Sequence, residues 1–101
     1  MQELQRNSGK DALSAFFCIV KDDARLSSTH MSIYFVLFSY WIRNDYVNPF
    51  NITRRAVMQK AKIKSIVTYH KCIKELDSLG YIKYQPSYHP GIGSKVYLRL
   101  N

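Results

Sequence analysis

The chain has 101 residues, of which 47% are hydrophobic, so it is long enough for one compact domain with a modest core and too short for two. Its formal net charge of +8 favours a polyanionic partner, either nucleic acid or an anionic membrane surface. Its two cysteines lie in apolar contexts and suit reduced thiols better than a disulfide scaffold, which indicates a cytoplasmic protein.

The N-terminal segment, residues 1–14, is polar and predicts a flexible arm ahead of a single domain over residues 15–101. It has acidic residues before a short apolar patch and no small-residue cleavage site, so it does not match a signal peptide and supports a cytoplasmic location. The next residues, Phe16–Val20, form a short aromatic and β-branched run, which predicts a strand.

A long apolar helix is the next predicted element, from about Ser28 to Asp45. Serine and threonine residues at positions 27–29 offer an N-cap, and the breaker Asn48-Pro49 follows the end of the helix. The most apolar run, Ile33–Ile42, spans ten residues, against the roughly 18 that are needed to cross a bilayer. We therefore expect a buried core helix and no membrane partner, which leaves nucleic acid as the polyanion.

The same helix has more apolar side chains than one buried face can hold. They are Tyr34, Phe35, Phe38, Tyr40, Trp41 and Ile42. Either the segment Phe16–Val20 folds back over the surplus, or a second copy of the chain covers it. DNA-binding proteins of this size commonly pair so that two recognition helices address two half-sites, so we expect a homodimer.

Two shorter helices follow, joined by the tight turn Lys62-Ile63-Lys64. Thr53 is the predicted N-cap of the second helix and Ser65 that of the third, which runs to Leu79 and stops at Gly80 because glycine readily takes the left-handed conformation of helix ends. On the third helix, apolar residues recur every three or four positions and predict the buried face. They are Tyr69, Cys72, Ile73, Leu76 and Leu79.

The C-terminal segment alternates between apolar and polar residues and predicts a β-hairpin. Its strands lie within residues 81–88 and 94–101, and the turn residues between them are Pro90, Gly91 and Gly93. On the second strand, Val96, Leu98 and Leu100 share one face, and Lys95, Tyr97 and Arg99 share the other.

The order of these elements resembles a bacterial winged helix-turn-helix domain, from Thr53 to Asn101 with the long helix before it. The passage "IKELDSLGYIKY" is similar to the "L-x-x-LGxI" transition from recognition helix to wing in that family, and "TYHKCIKEL" followed by "YIKYQPSY" is similar to small regulators of bacterial plasmids and conjugative transposons. The resemblance implies an α+β fold, mainly α, with a three-helix core and a C-terminal β-hairpin wing. Where the family often has glycine in its turn, this chain has Lys62-Ile63-Lys64.

Positive charge is concentrated in the segment Thr53–Lys74, which has seven bases and no acidic residue. The bases are Arg54, Arg55, Lys60, Lys62, Lys64, Lys71 and Lys74. Cations gathered on one face gain affinity for duplex DNA by displacing condensed counterions. Arg54 and Arg55 fall in the first turn of a helix, where the dipole attracts anions, so a phosphate partner accounts for their position. A solvated basic face that confers only solubility is the alternative.

Base recognition is expected from the start of the third helix, because a helix in the major groove reads base edges through exposed side chains. We assign base contacts to Thr68 and Lys71 and a phosphate contact to Ser65. The sequence does not decide whether Tyr69 and His70 face the core or the DNA. From the wing, we expect Lys95 to reach the DNA, and Ser94 or His89 is a further candidate.

Other chemistries find little support in the sequence. Its histidines and cysteines lack metal-ligand spacing, and His70 and Cys72 would point to different faces of a helix, so we expect them not to converge and expect no metal and no cofactor. No nucleophile has a recognisable base beside it, and there is no glycine-rich phosphate loop. We therefore expect neither enzyme activity nor a small-molecule ligand.

The sequence thus predicts a protein that binds duplex DNA sequence-specifically as a transcriptional regulator, with control of a mobile element as its narrower interpretation. One alternative is an accessory role in recombination, excision or plasmid replication. A different class of alternative is a winged-helix module whose basic face meets an acidic protein.

Overall fold

The computed structural model describes residues 14–15, 17–18, 20–89 and 92–99. Within these residues the chain forms a short helical segment before position 21, three further helices and a three-stranded antiparallel sheet. The elements, in chain order, are α1 (Ser28–Arg43), β1 (Phe50–Ile52), α2 (Arg54–Ala61), α3 (Ile66–Ser78), β2 (Ile82–Gln85) and β3 (Ser94–Leu98). The predicted α+β, mainly helical class is confirmed. The predicted flexible arm, except for its last residue, lies outside the described residues.

The segment before α1 is helical where the structure describes it, so the predicted strand at Phe16–Val20 is wrong. Phe17, Cys18 and Val20 have helical backbone conformation, and the amide of Lys21 donates to the carbonyl oxygen of Phe17 at 3.2 Å. Val20 is buried in the core. A short apolar run fits a strand or a helix equally, and here the ring of Phe17 packs against that of Phe35 on α1.

Helix α1 begins where the sequence predicts and ends two residues earlier. The hydroxyl of Ser27 accepts from the amide of His30, and the His30 ring accepts from the amide of Ser27, which together make a capping box. At the other end, the amide of Asn44 bonds back to the carbonyl oxygens of Tyr40 and Trp41. Asp45 then takes a positive φ of 56°, which stops the helix.

Helices α2 and α3 have the predicted caps. Thr53 accepts from the amide of Ala56 at 3.2 Å, and Ser65 accepts from the amide of Thr68 at 3.2 Å. Gly80 has a φ of 88°, which confirms its predicted role at the end of α3. The turn between the helices uses Lys62 in the left-handed conformation, at φ 63° and ψ 38°. A lysine thus stands at the position where a glycine would be unstrained.

The sheet has the strand order β1-β3-β2 and includes a strand that the sequence analysis missed. β2 and β3 pair as the predicted hairpin, with Tyr84 opposite Val96. β1 adds to the other edge of β3, with Phe50 opposite Val96. Gly93 is required at this edge, because a Cβ atom there would lie 2.5 Å from the carbonyl oxygen of Ile52.

The core lies where the three helices meet the inner face of the sheet. Its largest fully buried side chains are Trp41, Tyr69, Ile33, Leu37, Ile73, Leu76, Ile82, Val57 and Val96. The predicted inner face of α3 is confirmed, except that Leu79 at its end is half-buried. No helix among the described residues is long and apolar enough to cross a membrane.

Candidate nucleic-acid interface

The amino end of α2 presents two cations to solvent. Arg54 and Arg55 are both exposed, and they directly follow the capping residue Thr53. The first turn of α2 contains no acidic residue. Unpaired amides and the helix dipole make this end attractive to an anion, so the two guanidinium groups and the backbone favour the same kind of ligand.

The turn and the outer face of α3 continue the positive surface. Lys62 and Lys64 are exposed in the turn, and Lys71 and Lys74 are exposed on α3. Together with the arginines they form what we call the basic face, which consists of Arg54, Arg55, Lys62, Lys64, Lys71 and Lys74.

The exposed face of α3 is centred on Val67, Lys71 and Lys74. These residues are spaced at i, i+4 and i+7, so they project from one side of the helix. Thr68 is half-buried and shares its side of the helix with Glu75, seven positions later. The two residues predicted to read bases are therefore neighbours, with Lys71 at the centre of the exposed face and Thr68 at its margin. Ser65 is exposed and caps the helix at its amino end.

A groove separates α3 from the segment that follows β2. Its volume is about 530 Å³, and its lining residues are Ile66, Val67, His70, Lys71, Lys74, Tyr84, Pro86 and Tyr88. A second groove of about 440 Å³ shares His70, Tyr84 and Tyr88 with it and reaches Arg54. The grooves therefore connect the cations of α3 to the start of α2. Tyr88 is 91% exposed at this surface.

Two further cations, Lys60 and Lys95, are among the predicted contact residues. The first is Lys60, whose ammonium donates to the hydroxyl of Tyr40 at 3.0 Å and lies 4.4 Å from the centre of that ring. This pairing holds the Lys60 side chain against α1. The second is Lys95, which is exposed on β3 opposite Gln85 and Asn51. Because side chains alternate along a strand, Lys95 points to the outer face of the sheet, whereas Val96 points to the core.

The structure distinguishes the two residues that the sequence left open. Tyr69 belongs to the core, and burial raises the pKa of its hydroxyl. His70 is half-buried and lines both grooves, with its ring 5.4 Å from that of Tyr69. His70 is therefore the member of the pair that reaches the surface.

Three potential metal ligands converge between α1 and α3, contrary to the expectation from sequence spacing. Ligand atoms of His30, Cys72 and Glu75 all lie within 4.8 Å of one another. His30 Nδ1 accepts from the amide of Ser27 at 2.9 Å, so the ring proton is on Nε2, which lies 3.1 Å from Glu75 Oε1. The proton on Nε2 occupies the position that a metal ion would need. Burial also raises the pKa of the Cys72 thiol, which disfavours the thiolate form that binds metals. The cluster fits a hydrogen-bonded link between helices better than a metal site.

Sequence reasoning missed Val67 and Tyr88 as surface residues. Val67 was passed over because it is apolar, although its spacing from Lys71 and Lys74 puts it on the exposed side of α3. That spacing was the signal that could have revealed it. Tyr88 follows β2 and could not be assigned to a surface before the sheet and α3 were placed together.

Comparisons with models of protein families, with curated proteins and with solved structures found no match to this chain.

Proposed function

We propose that this chain is a winged helix-turn-helix protein that binds duplex DNA sequence-specifically and acts as a transcriptional regulator. α2, the turn and α3 form the helix-turn-helix, α3 is the recognition helix, and β2 and β3 form the wing. The narrower proposal, from the resemblance in sequence, is a cytoplasmic regulator of a bacterial mobile element.

The observation that carries the proposal is the exposed, acid-free amino half of α3, together with the cations around it. In a helix-turn-helix, the amino-terminal residues of the second helix contact base edges in the major groove. Val67 and Lys71 are exposed there, and no acidic residue occurs between Thr53 and Lys74 to repel phosphate. Arg54 and Arg55 lie in the first turn of α2, and on this proposal they would hold the DNA backbone on one flank.

The salt dependence of binding tests this proposal. If the six cations of the basic face each neutralise one phosphate, the logarithm of affinity falls with the logarithm of salt concentration with a slope of about −5 for duplex DNA. Affinity is measured by fluorescence anisotropy on duplex DNA, single-stranded DNA and RNA across a salt series. A flat salt response, or equal affinity for all three nucleic acids, contradicts the proposal.

The alternative roles differ in what they do to the DNA or in their partner. A recombination or replication accessory protein would bend its site, which a circular permutation gel assay detects, whereas a simple regulator needs no bend. A protein-interaction module would bind an acidic protein and show little preference among DNA sequences.

We also propose that the protein is a homodimer. Phe35 and Ile42, seven positions apart on α1, remain 42% and 41% exposed. Phe17 covers part of Phe35, with ring centres 5.2 Å apart, and is itself 38% exposed. Among the described residues before α1, Phe17 therefore covers the surplus apolar surface only in part, and a second copy of the chain would cover the rest.

A further inference from the structure

Two β-branched aliphatic residues occupy the first turn of α3 and face solvent. Ile66 is 47% exposed and Val67 is 78% exposed. Ser65 caps the helix directly before them, so their position at the amino end is well defined. A valine that stays exposed contributes little hydrophobic free energy to folding, and valine has a lower helix propensity than alanine. These side chains therefore add little to the stability of the fold, and their placement points to a partner.

The surroundings of this apolar pair are positively charged. Lys64 precedes it, and Lys71 and Lys74 lie on the same groove as Ile66 and Val67. A complementary partner has an anionic surface with small apolar groups set into it. Duplex DNA has this character, because the major groove between its phosphates presents the C5-methyl group of thymine.

We propose that Val67, supported by Ile66, contacts thymine methyl groups in the major groove. This inference rests on the proposed function and adds the base that the amino end of α3 prefers. Lys71 lies one helical turn after Val67, so a thymine methyl contact and a lysine contact to a neighbouring base or phosphate would be made together. The preferred DNA site therefore contains thymine at one or two defined positions.

The experiment removes the two partners of the contact separately: the thymine methyl group from the DNA, and the Val67 side chain from the protein. A preferred site is first selected from a random duplex pool, and each thymine in it is then replaced in turn by deoxyuridine, which lacks only the methyl. At one or two positions we expect affinity to fall about fourfold, the factor for one buried methyl group. Val67→Ala should bind the thymine site more weakly and should no longer distinguish thymine from deoxyuridine. Val47→Ala, at an exposed valine between α1 and β1, is the matched control and should keep the distinction.

Four other results would contradict the inference, and each has a different meaning. If the wild-type protein keeps its salt-dependent preference for duplex DNA but ignores every deoxyuridine, the thymine contact is wrong and the proposed function stands. If no nucleic acid is preferred, the proposed function itself fails. If the methyl matters equally to Val67→Ala, another residue makes the contact. If Val67→Ala changes no DNA binding at all, the apolar end of α3 serves a protein partner instead.

Discussion

Lys62 takes a backbone conformation that favours glycine, and it does so at the turn between the two helices of the basic face. Its amide still bonds back to the carbonyl oxygens of Gln59 and Met58, so the turn closes as a helix end normally does. The lysine therefore carries some backbone strain, in a position where its charge is exposed.

Replacing this lysine with glycine should stabilise the fold. Glycine has no Cβ to clash in the left-handed region, so we expect Lys62→Gly to raise the free energy of unfolding by about 0.5–1 kcal/mol. Lys62→Ala removes the same charge but keeps the Cβ, and its stability should stay near that of the wild type. Urea denaturation measures the free energy of unfolding of the wild type and of both variants. Equal stabilisation by both substitutions would show that charge repulsion, rather than backbone strain, is relieved.

Asp23 joins the loop before α1 to the start of the hairpin. Its carboxylate accepts from Arg25 Nε at 2.8 Å and from the hydroxyl of Tyr81 at 2.8 Å. The hydrogen bonds from Arg25 and Tyr81 hold the pKa of Asp23 well below its usual value of 3.8. Burial and the bond to Asp23 raise the pKa of Tyr81 to about 12.

This carboxylate should make stability depend on pH in the acid range. The pKa of Asp23 is lower in the folded state than its unfolded value of 3.8. The ionised carboxylate therefore stabilises the fold at pH values above 3.8, and this stabilisation is lost as the pH falls below 3.8. We expect Asp23→Asn to be less stable than the wild type at neutral pH, with the difference narrowing below that value. Urea midpoints measured across the acid range test this, with Asp22→Asn at an exposed neighbouring carboxylate as control. A difference that is constant with pH would contradict the role of the charge.

At the scale of elements, α2 and α3 are expected to do different work on DNA. Arg55 lies in the first turn of α2, where contacts to phosphate position the protein without reading sequence. Lys71 and Thr68 lie on α3, at the centre and the margin of its exposed face. On the proposed function, α2 would position the protein on the DNA backbone and α3 would read the sequence.

Substitutions in the two helices should therefore have different signatures. Arg55→Ala should weaken binding to all duplexes alike and reduce the salt slope by about 0.9, which is the loss of one phosphate contact. Lys71→Ala and Thr68→Ala should change which sequence is preferred, because a good base contact is worth about 1–3 kcal/mol of discrimination. Lys21→Ala, an exposed cation before α1, is the control. Selection from a random pool measures the preference, and an unchanged site in both α3 variants would remove their assigned roles.

Helix α1 contributes most of the aromatic core and leaves one stripe of its surface exposed. Tyr34, Phe38 and Trp41 are buried, so a single chain encloses most of the surplus that the sequence suggested. Phe35 and Ile42 are the residues of that set that remain exposed. Any pairing between copies would therefore use a narrower surface than the sequence indicated.

The dimer is tested by changing this stripe. We expect the wild type to sediment as a dimer at micromolar concentration and to select an inverted repeat, because paired recognition helices address two half-sites. Ile42→Glu should give a folded monomer, since a charge in an apolar interface is costly. Ile92→Glu, at an exposed isoleucine between β2 and β3, should remain dimeric. A wild-type monomer that binds one non-palindromic site would refute the dimer.

Elements with local signals could be predicted from the sequence. Thr53 and Ser65 cap α2 and α3 because their own side chains accept from amides three residues later. Gly80 ends α3 because of its own backbone freedom. Apolar spacing identified the buried face of α3, since helical geometry alone decides which side chains share a side. The charged segment Thr53–Lys74 needed no structure to be recognised.

Features that depend on contacts between distant parts of the chain became visible only in the folded structure. β1 is three residues long and has no pattern of its own, and it exists because β3 offers a free edge. Lys60 donates to the hydroxyl of Tyr40, twenty positions away, a contact that its charge alone does not predict. His30 and Glu75 meet because α1 and α3 pack together, across a separation of 45 residues. Such pairings follow from packing of the whole core, which no local spacing encodes.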